Sequence, residues 1–268
     1  MNREPKSVLV ALEQAGHAGA DLAMDMFSGT SLDPRRKRDG SPVTRADVSV
    51  EELIKSDLEA RFPDLPIVGE ETSDDLEVDG DEYIAVDPID GTSNYLRGTP
   101  FFAVTLAYLQ EGWPVAGVVI DPVHEVTYCA ARGSGATSNG EPLALSGEKA
   151  RSLRHATVSL PGESLPRHLR ERFLGRIAGR LNRMQSLRSV ALELAGLAAG
   201  WLDAVVFGSV SVWDVAAGCL IVEEAGGVWT AIDGTQVPFG DSRARYSVLA
   251  ACSPELHAEI LSLIEVST

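Results

Sequence analysis

Two carboxylates stand three positions apart where an apolar run ends. In YIAVDPIDGT, residues 83–92, four apolar residues lead into Asp87, and Asp90 follows after Pro-Ile. The run predicts a strand, so both acids should lie at the strand's end. Crowded carboxylates repel one another unless cations lie between them. The segment therefore predicts a site for a hard divalent cation, and Mg²⁺ suits a site that keeps waters and also receives phosphate oxygens.

Two more acids occupy comparable places. Glu70 follows the apolar run Ile-Val-Gly, and Asp214 stands at the start of a predicted helix. Chain ends of this kind meet at the rim of a sheet, where binding sites gather. Asp87 and Asp90 could bridge two ions about 3.5–4 Å apart, and Gly91 would let the backbone approach an anion closely. Any one acid alone fits a turn or cap equally well; the set favours a metal site.

Composition excludes several classes of protein. The chain has 268 residues, 44% of them hydrophobic, and a net charge of −16, which argues against a nucleic-acid partner. Its three cysteines form no C-x-x-C pair and its five histidines form no H-E-x-x-H, so a zinc ribbon, a redox dithiol or a histidine-based metal site is disfavoured. No apolar run is long enough to span a membrane. Without a signal-peptide pattern, the sequence predicts a cytoplasmic protein with no membrane partner.

Helical and strand-like periods alternate along the chain, which predicts stacked layers of sheet and helix. The turn-rich segment 133–140 lacks the third glycine of a phosphate-binding loop, so a hairpin is predicted there. The basic segment 33–42 is predicted to be a solvated loop. Helices are predicted at 5–27, 45–62, 166–181, 189–202, 213–227 and 254–265, and strands at 83–87, 101–109, 114–121, 126–131, 155–160, 203–207 and 246–252. Residues 67–71 form a short, apolar, strand-like approach to two glutamates.

Taken together, four motifs resemble the inositol monophosphatase family of Mg²⁺-dependent, Li⁺-sensitive phosphomonoesterases. The motifs are SPVTRAD (41–47), VGEE (68–71), DPIDGTSNYLRGTPFFAV (87–104) and WDVAAG (213–218). The resemblance covers nearly the full length and implies a layered αβαβα fold, often in a homodimer. It divides the chain into an α+β half, 1–145, with most metal ligands, and an α/β half, 146–268, with Asp214 and the wall of the substrate pocket.

The resemblance also implies which residues hold the metal ions. Glu70, Asp87 and the carbonyl group of Ile89 would bind the first ion. Asp87, Asp90 and Asp214 would bind the second. A third, weaker ion would use Glu70 and water. The implied cofactor is Mg²⁺, two or three ions per site, with Mn²⁺ as a possible substitute.

A proton-handling pair is implied in the same way. Thr92 and Asp47 would form a dyad that orients the attacking water, and Glu71 would support the water around it. Gly91 and Thr92 would donate backbone N–H groups to the phosphate. Metal-acidified water with a nearby base is a known route to ester hydrolysis, so neither a cysteine nor a histidine nucleophile is needed.

The substrate pocket departs from the family pattern. Phe207 stands where inositol-specific members carry a glutamate, and Arg188 and Ser189 open the segment that is Gly-Ser/Thr-Ala-Ala in the family. These three residues are predicted to contact substrate, although Phe207 could equally belong to the core and Arg188 to the surface. An aromatic ring and a guanidinium favour an aromatic or second anionic group.

The alcohol that carries the phosphate therefore stays open. An inositol 1-phosphate-like substrate is the leading hypothesis. Histidinol phosphate, a 3′(2′),5′-bisphosphate nucleotide and fructose 1,6-bisphosphate are the alternatives. An alternative of another class is a non-catalytic regulatory or binding protein that retains the fold.

Overall fold

Seven helices and three sheets make up the described part of the computed structural model, which covers residues 3–27, 35–36, 42–72, 78, 82–145, 152–160, 165, 167–177 and 179–265. The helices are α1 (Pro5–Phe27), α2 (Arg45–Arg61), α3 (Thr92–Arg97), α4 (Arg167–Ile177), α5 (Val190–Ala198), α6 (Val212–Glu224) and α7 (Pro254–Glu265), with a 3-10 turn at Leu153–His155. The strands are β1 (Arg35–Arg36), β2 (Pro42–Val43), β3 (Ile67–Gly69), β4 (Glu82–Asp90), β5 (Ala103–Gln110), β6 (Trp113–Asp121), β7 (Val126–Ala131), β8 (Ala136–Ser138), β9 (Glu141–Leu143), β10 (Thr157–Ser159), β11 (Arg183–Gln185), β12 (Ala204–Val210), β13 (Val228–Thr230) and β14 (Tyr246–Ala251).

The two larger sheets come from successive parts of the chain. One has seven strands in the order β3-β4-β5-β6-β7-β8-β9, parallel only between β3 and β4. The other has five strands in the order β11-β10-β12-β14-β13, with β10 parallel to both its neighbours. The division of the chain into halves 1–145 and 146–268 stays a prediction, because α6 from the second half packs on the seven-stranded sheet.

Five layers result from the way the helices cover these sheets. Helices α1 and α2 pack on one face of the seven-stranded sheet. Helices α5 and α6 fill the space between the two sheets, and α4 and α7 cover the outer side of the five-stranded sheet. Helix α6 comes so close to β6 that a Cβ on Gly117 would lie 2.8 Å from the Cα of Ala217. This arrangement confirms the predicted αβαβα fold.

The end of β4 has a bulge that decides where its two acids lie. Asp87 pairs with Thr105 and Asp90 with Ala103, so the register shifts by one residue between them. Residues three apart on a regular strand would face opposite sides of the sheet. The extra residue of a bulge cancels that alternation. It therefore allows Asp87 and Asp90 to serve one site, as the motif predicted.

Most predicted elements are present, with differences at short segments. The hairpin predicted at 133–140 is confirmed, with β8 paired to β9 across its turn. The basic segment 33–42 is only partly described, and there Arg35–Arg36 pairs with Pro42–Val43, so it is not wholly a loop. Sequence periodicity did not predict α3, β11 and β13, which have six, three and three residues. Among the described helices, none combines the length and the apolar character needed to cross a membrane.

Candidate active site

The predicted dyad is present as a hydrogen bond between two helix starts. The Thr92 hydroxyl lies 3.1 Å from Oδ1 of Asp47 and 3.2 Å from the carbonyl oxygen of Ile89. Oδ2 of Asp47 accepts hydrogen bonds from the backbone N–H and the hydroxyl of Thr44, which caps α2. Burial raises the pKa of Asp47, and the nearby charge of Glu70 adds to the effect. A buried carboxyl with a raised pKa is suited to accept a proton.

The chain between Asp87 and Thr92 forms a tight turn held by its own polar groups. Oδ1 of Asp87 accepts a 3.0 Å hydrogen bond from the N–H of Ile89. The Ile89 side chain is fully buried in the core under α1 and α2, so the carbonyl group is what this residue can offer a metal. Gly91 caps α3 with φ of 96°, a conformation that favours glycine. Added at Gly91, a Cβ would lie 2.9 Å from the carbonyl oxygen of Phe101.

Asp90 is buried against the N-terminus of α5. Its carboxylate accepts hydrogen bonds from the Ser189 hydroxyl at 2.5 Å, the Ala191 N–H at 2.8 Å and the Val190 N–H at 3.2 Å. Burial raises its pKa to about 7, although these bonds favour the charged form. Ser189, predicted to contact substrate, is itself buried and here bonds to Asp90. Its role as a direct substrate contact stays a prediction.

Asp214 lies in the first turn of α6, where Oδ2 accepts a 2.7 Å hydrogen bond from the N–H of Ser211. Burial, together with the negative charges of Glu70 and Asp90, raises its pKa to about 8. These effects mean that the three carboxylates lie close enough to repel one another, as predicted. Glu70 is placed directly after β3, with its N–H bonded to the carbonyl oxygen of Val86 at 3.2 Å.

The chemistry of these donors fits Mg²⁺. Every predicted ligand offers oxygen, and the buried carboxylates carry raised pKa values that a bound cation would lower. Across the described ranges, no three Asp, Glu, His or Cys side chains are already arranged to hold a metal ion.

Two buried glutamates that hold the site's loops were not predicted. Glu51 in α2 accepts hydrogen bonds from the N–H of Glu71 at 2.7 Å, the N–H of Thr72 at 2.8 Å and the Thr72 hydroxyl. It thereby fixes the turn after Glu70. A Cβ on Gly69 would lie 2.1 Å from the Glu51 carboxylate, so this close approach requires glycine. Burial raises the pKa of Glu51.

Glu193 in α5 does the same for the segment before Ser189. Its Oε1 accepts hydrogen bonds from the N–H of Leu187 at 2.5 Å, the Ser186 hydroxyl at 3.0 Å and the N–H of Arg188 at 3.1 Å. The available sequence signal for both glutamates was an acid within an otherwise apolar helical face. Asn94, also missed, ties α3 to this segment through the carbonyl groups of Leu187 at 2.7 Å and Phe101 at 2.6 Å.

Phe207 and Arg188, the other two residues predicted to contact substrate, lie in different environments. Phe207 has 0% exposure and belongs to the core between the sheets, so the prediction that it contacts substrate is corrected to a packing role. Its ring packs among the other buried apolar residues of this core. Arg188 is exposed and adopts φ of 59°, a left-handed conformation that costs a non-glycine residue about 1 kcal/mol or more. Glu193 and Asn94 hold this backbone in place.

Two cavities lie away from these acids. One of about 540 Å³ is lined by Trp113, Arg132 and Trp229 among others, and one of about 1190 Å³ lies between α1 and the β6–β7 strands. Neither is lined by a predicted site residue. The candidate site is therefore the group of acids at the bulged end of β4 and at the starts of the helices beside it.

The chain is similar to known proteins over most of its length. Residues 4–268 match the model of the inositol monophosphatase family. A histidinol-phosphatase of Mycobacterium tuberculosis is 35% identical over 261 residues, 95% of this chain and 96% of the relative. An inositol-1-monophosphatase of Mesorhizobium japonicum is 33% identical over 230 residues, 85% and 86% of the two chains. The solved extragenic suppressor protein suhB of Bartonella henselae has a TM-score of 0.84 at 28% identity, over 97% and 98%. The chain belongs to the inositol monophosphatase family and is a phosphoric monoester hydrolase.

Proposed function

We propose that this chain hydrolyses the phosphate ester of a small alcohol with two or three Mg²⁺ ions, for which Mn²⁺ can substitute. The observation that carries the proposal is the Thr92–Asp47 hydrogen bond. The same Thr92 hydroxyl lies 3.2 Å from the carbonyl oxygen of Ile89. The proton acceptor Asp47 is therefore close to the Ile89 carbonyl group, which is proposed to bind a metal ion. A turn or cap alone would not need that contact.

Five groups would hold the ions. They are Glu70, Asp87, the Ile89 carbonyl, Asp90 and Asp214. Bound Mg²⁺ supplies acidification of water and neutralisation of charge on the phosphate. A bound cation would also stabilise the charged forms of Asp90 and Asp214, which burial disfavours by raising the pKa of each carboxylate.

Thr92 and Asp47 would move the proton. A water bonded to Thr92 donates its proton to the hydroxyl oxygen, and the Thr92 hydroxyl proton passes to Oδ1 of Asp47, 3.1 Å away. The resulting hydroxide attacks phosphorus, the ester P–O bond breaks, and the alcohol oxygen leaves and takes a proton from water. Gly91 and Thr92, at the start of α3, would orient the phosphate with N–H groups that have no partner within the helix. Glu71 would support the attacking water.

The leading substrate hypothesis is an inositol 1-phosphate-like ester. Histidinol phosphate, a bisphosphorylated nucleoside and fructose 1,6-bisphosphate are the alternatives, and the relatives' names include both an inositol-1-monophosphatase and a histidinol-phosphatase. With Phe207 in the core, Arg188 is the remaining departure from the family pattern that substrate could meet. The test is phosphate release from these four esters with Mg²⁺, ranked by kcat/KM.

A non-catalytic protein that retains the fold is the alternative of another class. Every proposed ligand and both members of the dyad are present in this chain, which favours catalysis, since a decayed site should have lost one of them. Release of phosphate from none of the esters, at any Mg²⁺ concentration, would favour the non-catalytic alternative.

The proposal extends to a cytoplasmic, Li⁺-sensitive homodimer. The family resemblance supports the dimer and the Li⁺ sensitivity. The three cysteines are unpaired, which suits a reducing compartment. Sedimentation and an inhibition curve with LiCl test the dimer and the Li⁺ sensitivity, and fractionation of cells tests the location.

A further inference from the structure

Arg245 lies just before β14 and reaches the turn between β12 and α6, where Asp214 is placed. Its Nη1 donates to Oγ of Ser211 at 2.5 Å, its Nη2 to the carbonyl oxygen of Ser209 at 3.0 Å, and its Nε to Oγ of Ser209 at 3.3 Å. The hydrolytic steps above do not use this arginine. Its side chain is nevertheless fixed at the edge of the site.

A second bulge makes these contacts possible. The register between β12 and β14 shifts between Phe207 and Val210, so two residues of β12 face one of β14. Ser209 lies on this bulge and is exposed, and it offers both its hydroxyl and its carbonyl group to Arg245. Bulges beside active sites commonly re-aim side chains.

The guanidinium acts electrostatically on the proposed metal site without pairing with it. Ser211, which accepts one of its hydrogen bonds, donates its own N–H to Asp214. The positive charge of Arg245 opposes the rise in the pKa of Asp214 that burial and the other acids cause. Ser211 therefore links the guanidinium to Asp214, one of the proposed metal ligands.

Arg245 keeps donor capacity for a ligand. A guanidinium has about five N–H groups, and the hydrogen bonds to described residues use one on each of its three nitrogens. One N–H on each of Nη1 and Nη2 has no partner among those residues. All three bonds go to neutral oxygens, and the residue is exposed, so its charge is open to an anion.

We propose that Arg245 binds a second anionic group, a phosphate or a carboxylate, on the alcohol part of the substrate. The inference rests on the proposed phosphomonoesterase function and, among its substrate hypotheses, favours the esters with two anionic groups, fructose 1,6-bisphosphate and a bisphosphorylated nucleoside, over inositol 1-phosphate. The net charge of −16 repels such a substrate, and the ions at the acids compensate only the reacting phosphate. Because Ser209 and Ser211 already hold the Arg245 side chain, it can bind an anion through two N–H groups with little further loss of side-chain conformational entropy. The same charge disfavours a cationic alcohol such as histidinol.

Matched substrate pairs isolate the second anion. Fructose 1,6-bisphosphate and fructose 1-phosphate differ only by a phosphate, and 3-phosphoglycerate and glycerol 3-phosphate only by a carboxylate in place of a hydroxymethyl group. The wild-type protein with saturating Mg²⁺ should show a kcat/KM at least about 10-fold higher for the bis-anionic member of one pair, as expected for one charge-assisted bidentate contact. The pair that shows it identifies the anion.

Variants then assign the preference to Arg245. Arg245→Gln should raise KM for the bis-anionic member by about 10-fold or more and change KM for its partner by less than about 2-fold. Arg245→Lys should fall between, because lysine keeps the charge but not the fork. Arg243→Gln, which removes the same charge two residues earlier in the chain, should leave the ratio unchanged. Thermal melts confirm folding, and the Lys variant carries the comparison if the Gln variant unfolds.

Different failures have different meanings. No preference in either pair, or a Gln variant that changes both members of a pair equally, overturns the inference and leaves Arg245 a role only in holding Ser211. An equal effect of Arg243→Gln also overturns it, because the preference would then follow overall charge. Absence of hydrolysis of all four esters contradicts the proposed function itself.

Discussion

The hydroxyl of Thr92 donates a 3.1 Å hydrogen bond to Oδ1 of Asp47, a residue 45 positions earlier in the chain. Each residue stands in the first turn of a helix, Thr92 in α3 and Asp47 in α2. The other oxygen of Asp47 is already bonded to the N–H and hydroxyl of Thr44. Oδ1 is therefore the oxygen placed to receive a proton through Thr92.

Replacing the hydroxyl should separate chemistry from folding. Thr92→Val keeps the shape of the side chain but removes the proton path, so we expect kcat to fall by about 10²-fold or more with a smaller change in KM. Thr92→Ser should keep most of the activity because it restores the hydroxyl. Steady-state kinetics of both variants, with melting curves, make the measurement. Equal kcat values for the Val variant and wild type would remove the dyad from the mechanism.

Asp214 should be needed for catalysis rather than for the fold. Asp214→Asn keeps an oxygen for the Ser211 N–H and, above about pH 8, removes a charge that Glu70 and Asp90 repel. We expect kcat to fall by at least about 10²-fold, because the variant would bind less tightly the metal ion that stabilises charge in the transition state. The melting temperature in EDTA should be maintained or rise. A variant that melts early yet hydrolyses normally while folded would show a structural acid instead.

Stability without metal should decrease as the pH rises. Folding raises the pKa of Asp90 from its ordinary 3.8 to about 7, and that of Asp214 from 3.8 to about 8. The folded state then holds protons that the unfolded chain has released, so this stabilisation is full below about pH 4 and is lost as the pH climbs through 7 and 8. Melting temperatures in EDTA at pH 5.5, 7 and 8.5 should fall in that order.

Mg²⁺ should oppose this loss, because it binds the charged carboxylates. The rise in melting temperature on adding Mg²⁺ should therefore be larger at pH 8.5 than at pH 5.5. The Asp214→Asn variant serves as the control and should show a shallower pH dependence in EDTA. A flat wild-type profile would mean that these carboxyl groups ionise at their ordinary pKa values.

Gly69 should tolerate no side chain, because Glu51 occupies its space. The Cβ of Gly69→Ala would lie 2.1 Å from the Glu51 carboxylate, which must move and release the turn that bears Glu70 and Glu71. We expect a loss of about 1–3 kcal/mol in the free energy of unfolding and lower activity. Gly240→Ala, where no atom lies within 4 Å of the added Cβ, is the control and should unfold normally. Equal stability of the two variants would contradict this packing.

The acids of the site could be predicted because their spacing carries the information. Asp87 and Asp90 end an apolar run, and the layered fold follows from the order of long periodic segments. The roles of Glu51 and Glu193 were not predicted, because an acid in a helix ordinarily faces solvent. Only the tertiary structure shows each one buried against a loop. A sequence carries no local signal for such a partner 20 residues away, as between Glu51 and the Glu71 N–H.

Phe207 shows a different limit. An apolar residue at a strand end can face a pocket or a core, and which one it faces depends on register. The bulge between Phe207 and Val210 is set by the pairing of β12 with β14, which neither strand specifies alone. The same bulge exposes Ser209 to Arg245, so the sequence could not have assigned that arginine to the site.

The most direct test of metal-dependent hydrolysis is phosphate release from the ester panel in Mg²⁺ and again in excess EDTA, for the wild-type protein and for Thr92→Val. We expect release that requires Mg²⁺ or Mn²⁺, stops with EDTA, returns when Mg²⁺ is added in excess, and falls by about 10²-fold or more in the variant. Phosphate release that continues at full rate in excess EDTA would contradict the metal site and the hydrolytic mechanism built on it.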